Sequence, residues 1–258
     1  MGKLIKYELK GNYKIFSALC IIASILNIVL LTRLEKWGSG SVTGCMSMVT
    51  MSLFIISLVI IINSFKNELY EDRGYLTFTL PISGNKILAS KLICALVWFS
   101  LTSIVSFIFF RILIGTKGAD IVRVIISLNL KSLIIFAIAG IIINTITLLL
   151  MIYFSIALTK VARRGKKVSG ILAFVVFIAL SFLIYYISFK LKNIFPQQMH
   201  IALNLNNYLG GNGSINNVAI NLTDANLTIN IASAIYQILV YIGLFIGTGY
   251  LMEKKVNI

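Results

Sequence analysis

The sequence predicts an all-α polytopic membrane protein: six transmembrane helices, an N-terminal interfacial helix, one unusual cytoplasmic loop and a small extracellular cap between spans five and six. Three observations predict it. Of 258 residues, 59% are hydrophobic and only 12% are charged, where a soluble domain carries about 25% charged residues. Mean hydropathy is +0.95, more apolar surface than a soluble core of this size could hide. Apolar runs long enough to cross the hydrocarbon layer, roughly 20 residues each, recur six times along the chain.

The first element is residues 1–14. Lys3, Lys6, Lys10 and Lys14 recur at helical spacing and fall within an arc of roughly 80° at 100° per residue. Leu4, Ile5 and Leu9 point elsewhere, and Tyr7 and Tyr13 flank the lysine stripe. The pattern predicts a helix lying among lipid headgroups. No small-residue cleavage site follows it, so no removable signal is expected. The six spans are predicted at 15–34, 42–65, 92–114, 133–158, 168–189 and 229–252.

Basic residues set the expected topology. With the N-terminus inside, fifteen of the 23 lysines and arginines fall on the cytoplasmic side. They are the four N-terminal lysines; Lys66, Arg73, Lys86 and Lys91; Lys160, Arg163, Arg164, Lys166 and Lys167; and Lys254 and Lys255. The remaining basic residues are scattered outside. The bias predicts that both termini are cytoplasmic, and it accounts for the net charge of +15 without invoking nucleic acid.

Residues 190–230 depart from the rest of the chain. Asn193, Asn204, Asn206, Asn207, Asn212, Asn216, Asn217, Asn221 and Asn226 alternate with leucine, isoleucine and valine. The apolar content argues against a disordered tail and predicts an extracellular cap with short helices. His200, the chain's one histidine, lies here without a second His or Cys nearby in sequence, so a solvated role is expected rather than a metal site. Cys20, Cys45 and Cys94 are odd in number and lack metal-ligand spacing, which gives no disulfide framework.

Several chemistries have no motif here. There is no phosphate-binding Gly-x-x-x-x-Gly-Lys-[Ser/Thr], no Gly-x-Ser-x-Gly and no His-Glu-x-x-His. The acidic residues Glu8, Glu35, Glu68, Glu71, Asp72, Asp120, Asp224 and Glu253 all fall outside the predicted membrane interior. Ion-driven carriers commonly place ionisable groups at membrane depth. Polar groups inside the spans are uncharged: Asn27, Asn144, Thr145, Thr147 and Gln237. Their ordinary role is interhelical hydrogen bonding; Asn144 and Gln237 are also candidates for lining a substrate path. If this chain moves anything uphill, the energy must enter from another molecule.

The loop at 67–83 is where that entry is expected. It holds Glu68, Glu71 and Asp72 in a strongly basic protein. Glu68 to Arg73 is compatible with helix, and Gly74 permits a bend. Tyr75, Leu76, Phe78 and Leu80 form an apolar, aromatic surface. Pro81 restricts the residue before it to extended geometry and ends the element. Ser83 is placed to cap the helix leading through Lys86 and Lys91 into span three. Acidic residues disfavour rest on an anionic inner leaflet, so the loop reads as a protein-docking element held rigidly between two spans.

Together these features resemble the permease subunit of ABC-2 type ATP-binding-cassette transporters. The resemblance covers the whole chain: the basic N-terminal helix, the six spans, and a loop signature carried by Glu71, Gly74, Leu80, Pro81, Ser83 and Lys91. In that family the first segment (here 1–14) is an elbow helix and the loop is a coupling helix that docks on an ATPase subunit. The segment between spans five and six (here 190–230) often forms re-entrant or cap helices.

The resemblance implies a single transmembrane domain over 1–258. Glu68, Glu71, Asp72, Arg73 and Gly74 would transmit the stroke, and Tyr75, Phe78 and Pro81 would shape the docking surface. It further implies no cofactor in this chain, with ATP and magnesium bound by the partner ATPase. The other expected partners are a second permease copy or a similar permease and membrane lipids, with no nucleic acid, in a bacterial cytoplasmic membrane. The short interval from Gly74 to Pro81, and Tyr75 where Thr is usual, point to a branch of low-GC Gram-positive bacteria linked to antimicrobial-peptide export or immunity. The expected cargo class is then a peptide, lipid or amphipathic drug-like molecule. The alternative is a non-transporting membrane sensor or assembly partner that uses the same loop to anchor a cytoplasmic protein.

Overall fold

A computed structural model describes residues 2–70, 83–117, 131–162, 170–202 and 226–255. The chain is almost entirely helical: α1 (Gly2–Leu31), α2 (Leu34–Tyr70), α3 (Gly84–Lys117), α4 (Lys131–Ala162), α5 (Gly170–Ile194) and α6 (Ile231–Tyr250), the last continued by a π-helical turn at Leu251–Lys255. All six helices are long and apolar enough to cross a membrane.

The first helix differs from expectation. The segment expected to lie separately in the headgroup plane and the first span are one element, α1, of 30 residues. No proline interrupts it, and Gly11 by itself costs a helix only about 1 kcal/mol. The lysine stripe holds: Lys3, Lys6, Lys10 and Lys14 all lie on exposed positions. Glu8, Asn12 and Phe16 follow one another at i, i+4 spacing and share the opposite, inward face. Only Thr32 and Arg33 separate α1 from α2. Near its start α2 breaks at Gly38, whose φ of 75° is a left-handed value that glycine adopts without steric cost.

α3 is the centre of the bundle. It packs against α1, α2, α4 and α6, while α5 lies to one side against α4 and α6. The buried stripes have clear spacing. On α2, Leu53, Ser57, Ile61, Phe65 and Leu69 are each four residues apart and all buried. On α3, Ile87, Lys91, Ala95, Trp98, Thr102 and Ser106 form the matching stripe. Between Leu149 and Lys160, α4 is buried nearly all round, the pattern of a helix enclosed by neighbours. Phe65 stacks on Tyr153 at 4.1 Å between ring centres, and Phe16 on Trp98 at 4.2 Å.

These contacts gather at one end of the bundle, the proximal end, where α1 and α3 begin and α2, α4 and α6 finish. Between α3 and α6 the backbones nearly touch: a Cβ on Gly84 would run into the carbonyl of Gly249. At the distal end a smaller cluster of Leu34, Val42, Met46 and Leu113 ties the α1–α2 turn to the end of α3.

The distal end adds one small non-helical element to the helical fold. Residues 198–202 and 226–230 form a two-stranded antiparallel ribbon, β1 (Gln198–Ala202) and β2 (Asn226–Asn230), with His200 opposite Thr228. The described flanks of the expected helical cap are therefore strands; residues 203–225 lie outside the described residues. Span six begins two residues later than predicted, because Asn230 caps α6 by accepting the Ser233 N–H at 2.9 Å.

Candidate functional site

Of the loop residues singled out by sequence, Glu71, Asp72, Arg73, Gly74, Tyr75, Phe78 and Pro81 lie outside the described residues. The two flanks of that segment are described, and each is fastened.

On the entry side, Glu68 sits in the last turn of α2. Its carboxylate is ion-paired with the Lys91 ammonium rather than turned outward as an exposed docking acid. The same ammonium is 2.5 Å from a carboxylate oxygen of Glu8 on α1. Lys91 is 7% exposed, and the two carboxylate side chains are 14% and 17% exposed. Ser64 Oγ lies 3.5 Å from Lys91 Nζ and accepts from the Asn12 amide at 3.4 Å. One turn further along α3, the Cys94 thiol approaches the Ile5 carbonyl at 3.7 Å. Three helices thus meet at one ammonium. Because Lys91 lies on the core stripe of α3, its charge has to be met from within the protein, and Glu8 and Glu68 meet it.

Also on the entry side, the Lys160 ammonium of α4 donates to the Leu69 carbonyl. That carbonyl is among the last four of α2, which have no partner inside their own helix. A cation there also opposes the negative end of the helix dipole.

On the exit side, Ser83 stands immediately before α3, where its carbonyl accepts the N–H of Lys86 at 2.9 Å and of Ile87 at 3.3 Å. The unpaired first donor of α3, Gly84 N–H, is taken by the Glu253 carboxylate at 3.1 Å. A negative charge at a helix start is favoured by the same dipole. Glu253 comes from the π-helical turn after α6, so the far end of the chain clamps the loop's exit.

Beside the ion cluster, a cleft of about 710 Å³ opens between α1, α2 and α3, with Tyr7, Asn63, Asn67 and Ser90 among its walls. Next to it, Trp98 and Tyr153 close a space of about 10 Å³ beside Glu8 and Lys91, about the size that holds one water molecule. The other large openings are apolar grooves along the helices, of about 730 Å³ between α1 and α2 and about 850 Å³ between α2, α3 and α4.

The substrate-path candidates are not brought together by a described cavity. Asn144 is exposed on α4 and Gln237 is half-buried on α6; the larger groove runs past Thr145, beside Asn144. Among the described residues no group of three His, Cys, Asp or Glu is placed to hold a metal ion. The chemistry of the proximal end is electrostatic: fixed charges that hold helix ends.

Sequence reasoning placed Glu68 and Lys91 in the same loop region without pairing them, and it missed Glu8 and Asn12 beside them, Lys160 at Leu69 and Glu253 at Gly84. A signal for Glu8 was present. It is the single acid in the first 34 residues and sits opposite a lysine stripe.

Comparison with known proteins finds no matching family model, no matching curated protein and no matching solved structure.

Proposed function

We propose that this chain is the transmembrane subunit of an ATP-driven transporter of the ABC-2 type, with hydrolysis supplied by a separate ATPase that docks on segment 71–82. One observation carries the reading: both flanks of that segment are fastened to the most tightly packed part of the bundle. Glu68 is held through Lys91, Leu69 through Lys160, and Gly84 through Glu253. Helix ends and buried charges are partnered in any bundle, but here the partners come from α3, α4 and the turn after α6, so both flanks are tied to the packed bundle. Such ties suit a segment that receives a push from a partner, because slack at either flank would absorb the movement.

In this reading the proximal end is cytoplasmic, the lysine stripe of α1 rests against anionic lipid headgroups, and the segment's acids and aromatics form the docking surface. A second copy of the chain or a similar permease completes the complex. The cargo is a peptide, a lipid or another amphipathic molecule, exported across a bacterial cytoplasmic membrane.

The test is purification of the full chain from its native membrane. An ATPase whose turnover changes on binding this subunit supports the reading; an ATPase bound at full occupancy with unchanged turnover favours the anchoring role instead. In the complex, Glu71→Lys reverses a charge on the docking surface. It is expected to abolish stimulation of ATP turnover while the subunit still inserts, and unchanged stimulation would count against the docking role.

A further inference from the structure

Lys91 is the one buried charge on the described part of α3. It lies two helical turns past Gly84, where the chain re-enters the bundle, and Glu68 lies two residues before α2 ends. Their ion pair therefore bridges the two flanks of segment 71–82. Glu8 adds a third party, α1, which is remote from that segment in sequence. The Asn12–Ser64 hydrogen bond forms a second rung between α1 and α2, and Lys91 reaches the same Ser64 hydroxyl.

The charges do not balance. Two carboxylates share one ammonium, a formal excess of one negative charge, and its three N–H donors hold both at once. A small shift of the α2 end that moves Glu68 is therefore passed through Lys91 to Glu8 and α1. Charge pairs screened from water act over such small displacements far more strongly than exposed ones.

We propose that Lys91 is a positioning residue that couples the end of α2 and the start of α3 to α1, with Glu8 and Glu68 as its two partners. The effect on ATP turnover rests on the docking role proposed above. The mechanical link does not, and it is tested separately.

The link is read by amide hydrogen exchange on the full chain in lipid nanodiscs. Glu8→Gln is expected to raise exchange several-fold on α1 and also at residues 66–70 and 84–90, across the cluster. Lys3→Gln, on the exposed face of the same helix, is expected to leave those residues unchanged. A Glu8→Gln effect confined to α1 overturns the proposal.

The coupling is read in the isolated complex with its ATPase. Lys91→Met is expected to lower stimulation of ATP turnover about tenfold, within the usual range of coupling between sites, with the ATPase still bound; Lys91→Arg is expected to retain it. The triple variant Glu8→Gln/Glu68→Gln/Lys91→Met removes all three charges. If it keeps ATPase binding but stimulation stays low, the positioning role stands. If it keeps binding and stimulation returns, the cluster merely holds the fold and the proposal falls. Absence of any ATPase from the wild-type preparation sinks the docking role alone, and the exchange experiment still decides the link.

Discussion

At the proximal end Phe65 and Tyr153 are fully buried against each other, whereas in the distal half Phe107, Met48 and Ile141 are 70%, 71% and 65% exposed. The side chains compared are apolar or aromatic at both ends. The difference shows that hydrophobicity does not decide packing here. In a bilayer, lipid tails serve an exposed isoleucine as well as another helix does, so helices are drawn together by shape, small residues and polar pairs. The charged and close-backbone contacts lie at the proximal end, in the Glu8–Lys91–Glu68 cluster and the Gly84–Gly249 approach, together with the buried hydroxyls of Ser155, Thr159 and Thr248 and, nearer mid-helix, of Ser57. Each of these hydroxyls donates to the carbonyl four residues before it, which satisfies it locally and leaves the helix surface smooth for close contact.

The largest expected contrast comes from removing one ring at each end. Phe65→Ala takes away a stacked, fully buried side chain and is expected to lower stability by about 3–5 kcal/mol. Phe107→Ala removes a ring that faces the surroundings and is expected to change it by no more than about 0.5 kcal/mol. Thermal unfolding of both variants in the same detergent makes the comparison, and equal losses would erase the distinction between the ends.

A smaller effect is expected from Gly84→Ala. The added methyl meets the Gly249 backbone, which can give way only by moving α6, at a cost of about 1–3 kcal/mol. Gly44→Ala, in open space on α2, is the control and is expected to be neutral or slightly stabilising by helix propensity. The smallest effect is expected from Glu253→Gln, which keeps a hydrogen-bond acceptor but removes the charge at the start of α3. The expected loss is about 0.3–1 kcal/mol, read as faster amide exchange confined to the first turn of α3.

The part of the fold legible in the sequence was the part governed by hydropathy. The six long apolar helices and the exposed lysine stripe follow from period and composition alone. The misread elements depended on partners distant in sequence. Glu8 was counted with the surface acids because nothing within residues 1–14 reveals that Lys91, more than 80 residues on, lies against it. The continuity of α1 was missed because its lysines suggested a separate surface helix, although the opposite face already carried an inward stripe. The strands were missed because asparagine dominates the composition there. Gln198-Met199-His200-Ile201 and Asn226-Leu227-Thr228-Ile229-Asn230 nonetheless alternate polar and apolar residues with the period of a strand.

That ribbon isolates the ends of α5 and α6 from the chain that joins its strands. At its base the Asn230 amide donates to the Phe195 carbonyl at 2.7 Å, and Ile231 N–H donates to the Gln197 carbonyl at 3.2 Å. These bonds fix where α5 ends and α6 begins, whatever lies between the strands. Lengthening the intervening chain then costs only loop-closure entropy, about 0.6 kcal/mol for each doubling. Changes in the length of the chain between the strands are therefore expected to leave the register of α5 and α6 intact.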